Sequence, residues 1–153
     1  MTQPNAGVDF VVDFGRDIVA ELAPAELSVF EAVSAAFLRD PRRVLTQRSR
    51  PGVVLGSGIE VVVLTVSPVA LAVATAVYQQ LVDKTAEATV KQAMRMAGRL
   101  RRGKPQGPLP EITPEVRDTA AEGTRTLVEN LTEDPDLARQ CAEVVRVLLD
   151  RRR

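Results

Sequence analysis

Residues 53–78 read VVLGSGIEVVVLTVSPVALAVATAVY, twenty-six positions with a single charged side chain, Glu60. The rest of the chain carries a charge every few residues. Burying one large aliphatic side chain is worth about 1.5–3 kcal/mol, so a run of this length has to leave water. It can do so inside a bilayer or inside a sheath of other helices. The choice between the two sets what the chain can fold into.

The bilayer reading is the leading expectation. A spanning helix needs about twenty predominantly apolar residues, and 59–78 supply them. Ile59, Val63, Val66, Val69, Val73 and Val77 mark the candidate membrane or core helix. Thr65, Ser67 and Pro68 are tolerated in such helices. Tyr78 would lie at one interface, and Arg42, Arg43, Arg48 and Arg50 beyond the other. Against this, both flanks are basic, so the positive-inside rule gives no orientation, and aromatic belts are almost absent. Glu60 reads either as an interfacial carboxylate in water or as a buried, proton-linked group with a raised pKa. In the sheath reading, the amphipathic helices on either side cover the run. A third reading stores the run in a bundle and releases it to a membrane on a trigger.

The surrounding sequence predicts an all-α protein. Phe10, Phe14, Ile18 and Leu22 recur at steps of four, a helical face, although Val8–Phe14 alone could be a strand. A second helix opens at Pro24, with Glu26 in its first turn and Leu27, Phe30, Val33, Phe37 and Leu38 as its stripe. Asp40-Pro41 caps a short third helix over Arg42–Gln47. Ile59–Val66 is rich in β-branched residues, but no comparable strand exists to pair with it.

Pro68 either starts or kinks a helix. From there to Arg102 nothing in the residue types breaks it before Gly98. Tyr78, Val82, Ala86, Val90, Ala93, Ala97 and Leu100 form a narrow seam, with Lys84, Glu87, Lys91, Arg95 and Arg99 opposite. The expectation is one long central helix, apolar on all sides and then amphipathic. GKPQGPLP over 103–110 reads as a linker. Thr113-Pro114-Glu115 and Asp134-Pro135-Asp136 then open the two helices of an antiparallel αα-hairpin. The organisation is an N-terminal part over 1–104, a Pro/Gly linker over 105–112 and a hairpin over 113–153, together one folding unit.

Chemistry-bearing motifs are scarce. The chain has no His, which removes the commonest general base and the His-dependent dyads. Cys141 is the only cysteine; it lies on the apolar stripe of the last helix, so it reads as a core residue. GRLRRGK over 98–104 has P-loop spacing up to its lysine, but Pro105 stands where Ser or Thr should be, and no strand precedes it. Gly56-Ser57-Gly58 lacks the third glycine of a dinucleotide fingerprint, and Glu60 would repel an anion there. No metal site, cofactor or small-molecule substrate is inferred, and a non-enzymatic protein is expected. An enzyme working through Glu60 would need a second group that the sequence does not supply.

Net charge is zero, yet residues 83–104 carry seven basic groups against Asp83 and Glu87. Lys91, Arg95, Arg99, Arg101, Arg102 and Lys104 are the candidate lipid-headgroup contacts, because they follow the apolar run. The alternative is a solvated helix face. Only 3% of residues are aromatic, so bases have almost nothing to stack on, and this argues against nucleic acid. The expected function is membrane association or insertion with protein–protein contacts. The alternative is a soluble adaptor that self-associates through the seam Tyr78–Leu100. With no signal peptide and one cysteine, the expected location is the cytoplasm or the inner face of the cell membrane, not the exterior.

Overall fold

The computed structural model describes residues 6–48, 66–83, 86–103 and 109–152. Among these there are seven α-helices and no strand: α1 (Ala6–Leu22), α2 (Leu27–Arg39), α3 (Pro41–Arg48), α4 (Ser67–Val82), α5 (Val90–Arg101), α6 (Pro114–Thr132) and α7 (Pro135–Arg151). A 3-10 turn, Pro24–Glu26, leads into α2. The all-α expectation holds, and Val8–Phe14 is helix rather than strand.

The centre of the bundle is α4. It packs against α1, α2, α3, α5 and α6. Every residue of α4 except Gln80 and Val82 is buried. Its apolar side chains are small, Ala and Val above all, so neighbouring helices approach closely. Gly15 of α1 is one such point: a Cβ there would lie 3.2 Å from Leu71 Cδ2 and 3.4 Å from Phe30. Gly7 is another, where a Cβ would lie 3.0 Å from the Tyr78 ring and would run into Leu100 Cδ2. Two buried hydroxyls are satisfied within their own helices. Thr75 Oγ1 donates to the Leu71 carbonyl and Thr124 Oγ1 to the Ala120 carbonyl, each at 2.8 Å.

The start of α4 is held from a distance. Its first-turn N–H groups have no partner inside the helix, and Val66 offers no polar side chain to cap them. Glu26, only 4% exposed, does so instead. It accepts from Val66 N at 3.0 Å, Ser67 N at 2.8 Å and Ser67 Oγ at 2.7 Å. An anion at a helix N-terminus is also favoured by the helix dipole.

The single long helix from Pro68 to Arg102 is corrected to two, since α4 ends at Val82 and α5 begins at Val90. Asp83 is extended (φ −139°, ψ 98°) and its N–H still bonds the Gln79 carbonyl at 2.8 Å. Thr89 is extended too (φ −110°, ψ 156°), and its hydroxyl accepts from Gln92 N at 3.1 Å. Asp and Thr offer the backbone local hydrogen bonds that compete with helix continuation and suit helix ends. The step-of-four seam runs through this break in sequence, which is why periodicity alone conceals it.

The C-terminal hairpin is present as expected. Thr113 caps α6, and Asp134 caps α7 through Asp136 N and Leu137 N, each at 3.1 Å. Glu133 turns the chain between them in the left-handed region (φ 55°). The hairpin docks through α6 on α4 and through α7 on α1. Arg152, just past α7, lies 5.6 Å from the Phe10 ring and 5.2 Å from the Phe14 ring, a cation–π arrangement.

Candidate interaction surface

Two adjoining helices concentrate the positive charge. By sequence, α3 (PRRVLTQR) and α5 (VKQAMRMAGRLR) contain seven Lys and Arg residues and no carboxylate. The helices touch one another. Arg42, Arg43, Lys91, Arg95, Arg99, Arg101 and Arg102 are all exposed. Amphipathic spacing explains the arrangement on α5: Ala93, Met94, Met96, Ala97 and Leu100 go to the core, which leaves the cations outside. Arg101 Nη1 donates to the Arg39 carbonyl at 2.8 Å, placing a cation at the C-terminus of α2, where the helix dipole favours it.

Cations elsewhere are treated differently. Arg16 pairs with Asp13 and Glu31, Arg117 with Asp118 and Asp150, and Arg146 with Asp118 and Glu143. The hydrogen bond from Arg117 holds the Asp118 carboxyl below its ordinary value, with Arg146 adding to it. Arg42, Arg43, Lys91, Arg95 and Arg99 form no ion pair with another described residue.

Between the two basic helices lies a groove of about 620 Å³, lined by Arg42, Leu45 and Thr46 of α3, Val90, Lys91 and Met94 of α5, and Leu131 of α6. Its floor is apolar, made by Leu45, Val90, Met94 and Leu131. Arg42 and Lys91 bring positive charge to it from opposite helices. A smaller cavity of about 280 Å³, lined by Gln80, Thr113, Glu115, Val116 and Thr119, lies by α6.

The expected site residues separate into three groups. Lys91, Arg95, Arg99, Arg101 and Arg102, the candidate headgroup contacts, are all exposed, on α5 or just past its end. Val66, Val69, Val73 and Val77 are buried in protein, so for these the sheath reading replaces the bilayer one. No helix among the described residues is long and apolar enough to cross a membrane. Glu60, Ile59, Val63 and Lys104 lie outside the described residues, as does most of Ile59–Val66. Of the seam Tyr78–Leu100, Tyr78, Ala93, Ala97 and Leu100 are buried within the chain, whereas Val82, Ala86 and Val90 are half-buried.

Cys141 is fully buried, and burial together with the nearby Asp134 carboxylate pushes its thiol up to about 12. Such a thiol is a poor nucleophile. No cluster of three or more His, Cys, Asp or Glu side chains able to hold a metal ion occurs among the described residues. The groove was not visible in the sequence, because Leu45, Val90, Met94 and Leu131 belong to three helices far apart in the chain. The cation-rich, carboxylate-free sequences of α3 and α5 were its one readable signal.

The fold defines the chain as a compact helical bundle built around one buried helix. No protein-family model, curated protein or solved structure matches it.

Proposed function

We propose that the protein is a non-enzymatic helical interaction module, and that its working surface is the basic face of α3 and α5, which engages an acidic partner protein. The observation that carries this reading is the set of exposed cations on two touching helices, Arg42 and Arg43 on α3 and Lys91, Arg95, Arg99 and Arg101 on α5, with no carboxylate in either helix, in a chain whose net charge is zero. Surface arginines on α1, α6 and α7 are matched by local acids, and this face is not. A potential of one sign steers association and rejects partners of like charge.

A contact with anionic lipid headgroups draws on the same cations and is the second reading. A helix lying in a bilayer surface needs an apolar face directed into the acyl boundary. The apolar side of α5 is buried in the bundle, and no large exposed apolar residue lies on α3 or α5 among the described residues. The protein reading is therefore preferred. Binding of a labelled polyglutamate peptide, followed by anisotropy at low and high salt, tests it. Binding should weaken with salt and be lost in the double variant Arg95→Glu/Arg99→Glu. Salt-independent binding, or binding unchanged in that variant, defeats the proposal. Retention on phosphatidylserine vesicles without peptide binding favours the second reading.

A further inference from the structure

We infer that the groove between α3 and α5 is a docking site for an amphipathic helix of a partner protein, one whose apolar stripe is flanked on both sides by Asp or Glu. The inference rests on the basic-face reading and adds the shape of the partner to its charge.

Three observations converge on that occupant. The groove has an apolar floor, Leu45, Val90, Met94 and Leu131, contributed by three helices. Such a floor takes side chains that avoid water, which a purely acidic loop lacks. Cations line the groove from two helices, Arg42 of α3 and Lys91 of α5. A partner needs acids on both edges of its apolar stripe to meet them. Finally, the groove, at about 620 Å³, has room for several side chains of a partner. Helix-in-groove recognition works by this geometry, with apolar anchors at i, i+3, i+4 and i+7. Met94 suits such a floor, because an unbranched thioether repacks around different anchors. The charged rim sets orientation and rejects basic helices.

The test uses the full chain and four probes. The first is a peptide of about eighteen residues built from Leu, Ala and Glu, with one apolar stripe edged by Glu. The second has the same composition, scrambled to remove the stripe. The third is polyglutamate of equal length, and the fourth is phosphatidylserine vesicles. The striped peptide should bind at least about tenfold more tightly than the scrambled one. Thr46→Trp, a substitution at an exposed position that fills the groove, should abolish that preference while leaving the far-ultraviolet circular dichroism unchanged. Met94→Glu should do the same, and Thr46→Trp stands as the arbiter where Met94→Glu fails to fold.

Equal binding of striped and scrambled peptides overturns the groove. So does a tenfold preference that survives Thr46→Trp. If all three peptides still bind in a salt-dependent way that Arg95→Glu/Arg99→Glu removes, the basic-face reading stands without the groove. Binding to vesicles alone, or to none of the probes, overturns both.

Discussion

The helices α4 and α5 come from a stretch of chain with no proline between Val69 and Arg102, and they meet water in opposite ways. α4 carries no charge and hides nearly every side chain. α5 carries four cations and hides one face. Their first turns differ to match. α5 is capped by Thr89, its own neighbour in sequence. α4 is capped by Glu26, from the turn before α2. A helix with a wet face can satisfy its ends locally or with water. A helix with no wet face needs the fold around it to supply those partners. The comparison explains why apolar content alone did not make α4 a membrane helix: five neighbouring helices supply the apolar surroundings that a bilayer would otherwise provide.

The sharpest way to break this contrast is to place one charge in each helix. Val73→Asp, at a fully buried position, should cost roughly 4 kcal/mol or more and abolish cooperative folding. Arg95→Asp on the exposed face of α5 should change stability by only about 0.5 kcal/mol. Urea unfolding followed by circular dichroism reads both; similar losses in the two variants would end the distinction.

The caps come next. Glu26→Ala removes the acceptor for three donors and should cost about 2–4 kcal/mol, since hydrogen bonds to charged groups are strong and buried donors are expensive to strand. Thr89→Ala should cost about 1 kcal/mol, the ordinary value for a local cap. Equal effects would show that the distant cap has no special weight.

The smallest expected effect concerns Cys141. Its thiol is raised to about 12 in the folded chain against an ordinary value of 9.0. Above pH 9 the unfolded state therefore loses this proton before the folded state does, and stability falls as pH rises from there towards 12. The decline should be shallower in Cys141→Ala, measured as the urea midpoint at about pH 8 and about pH 10. A thiol reagent at about pH 8 should leave the folded protein unmodified and label it once unfolded.

Much of the fold was legible in the sequence, because amphipathic spacing and helix-opening signals are local. Pro114, Pro135, Thr113 and Asp134 marked α6 and α7 through the residue types that helix starts require. Phe10, Phe14 and Ile18 marked α1 by their spacing. The break between α4 and α5 was hidden because a stripe at steps of four and three is the same whether one helix or two carry it. The role of Glu26 was hidden for a different reason. Its partners lie 40 and 41 residues away, and nothing in a one-dimensional pattern marks a carboxylate that serves a remote backbone. The basic cluster on α5 could be read, whereas the groove beside it arises only when α3, α5 and α6 come together.

The hold of Glu26 on α4 also bears on how the chain is assembled. During synthesis, Glu26 emerges 40 residues before Val66. Translation extends at about 5–20 residues per second, and N-terminal elements fold first. Part of the receptor for α4, namely α1, α2 and Glu26, is thus made before that helix, while α5 and α6 follow it. The first turn of α4 therefore has in Glu26 a hydrogen-bond partner that needs nothing made later in the chain.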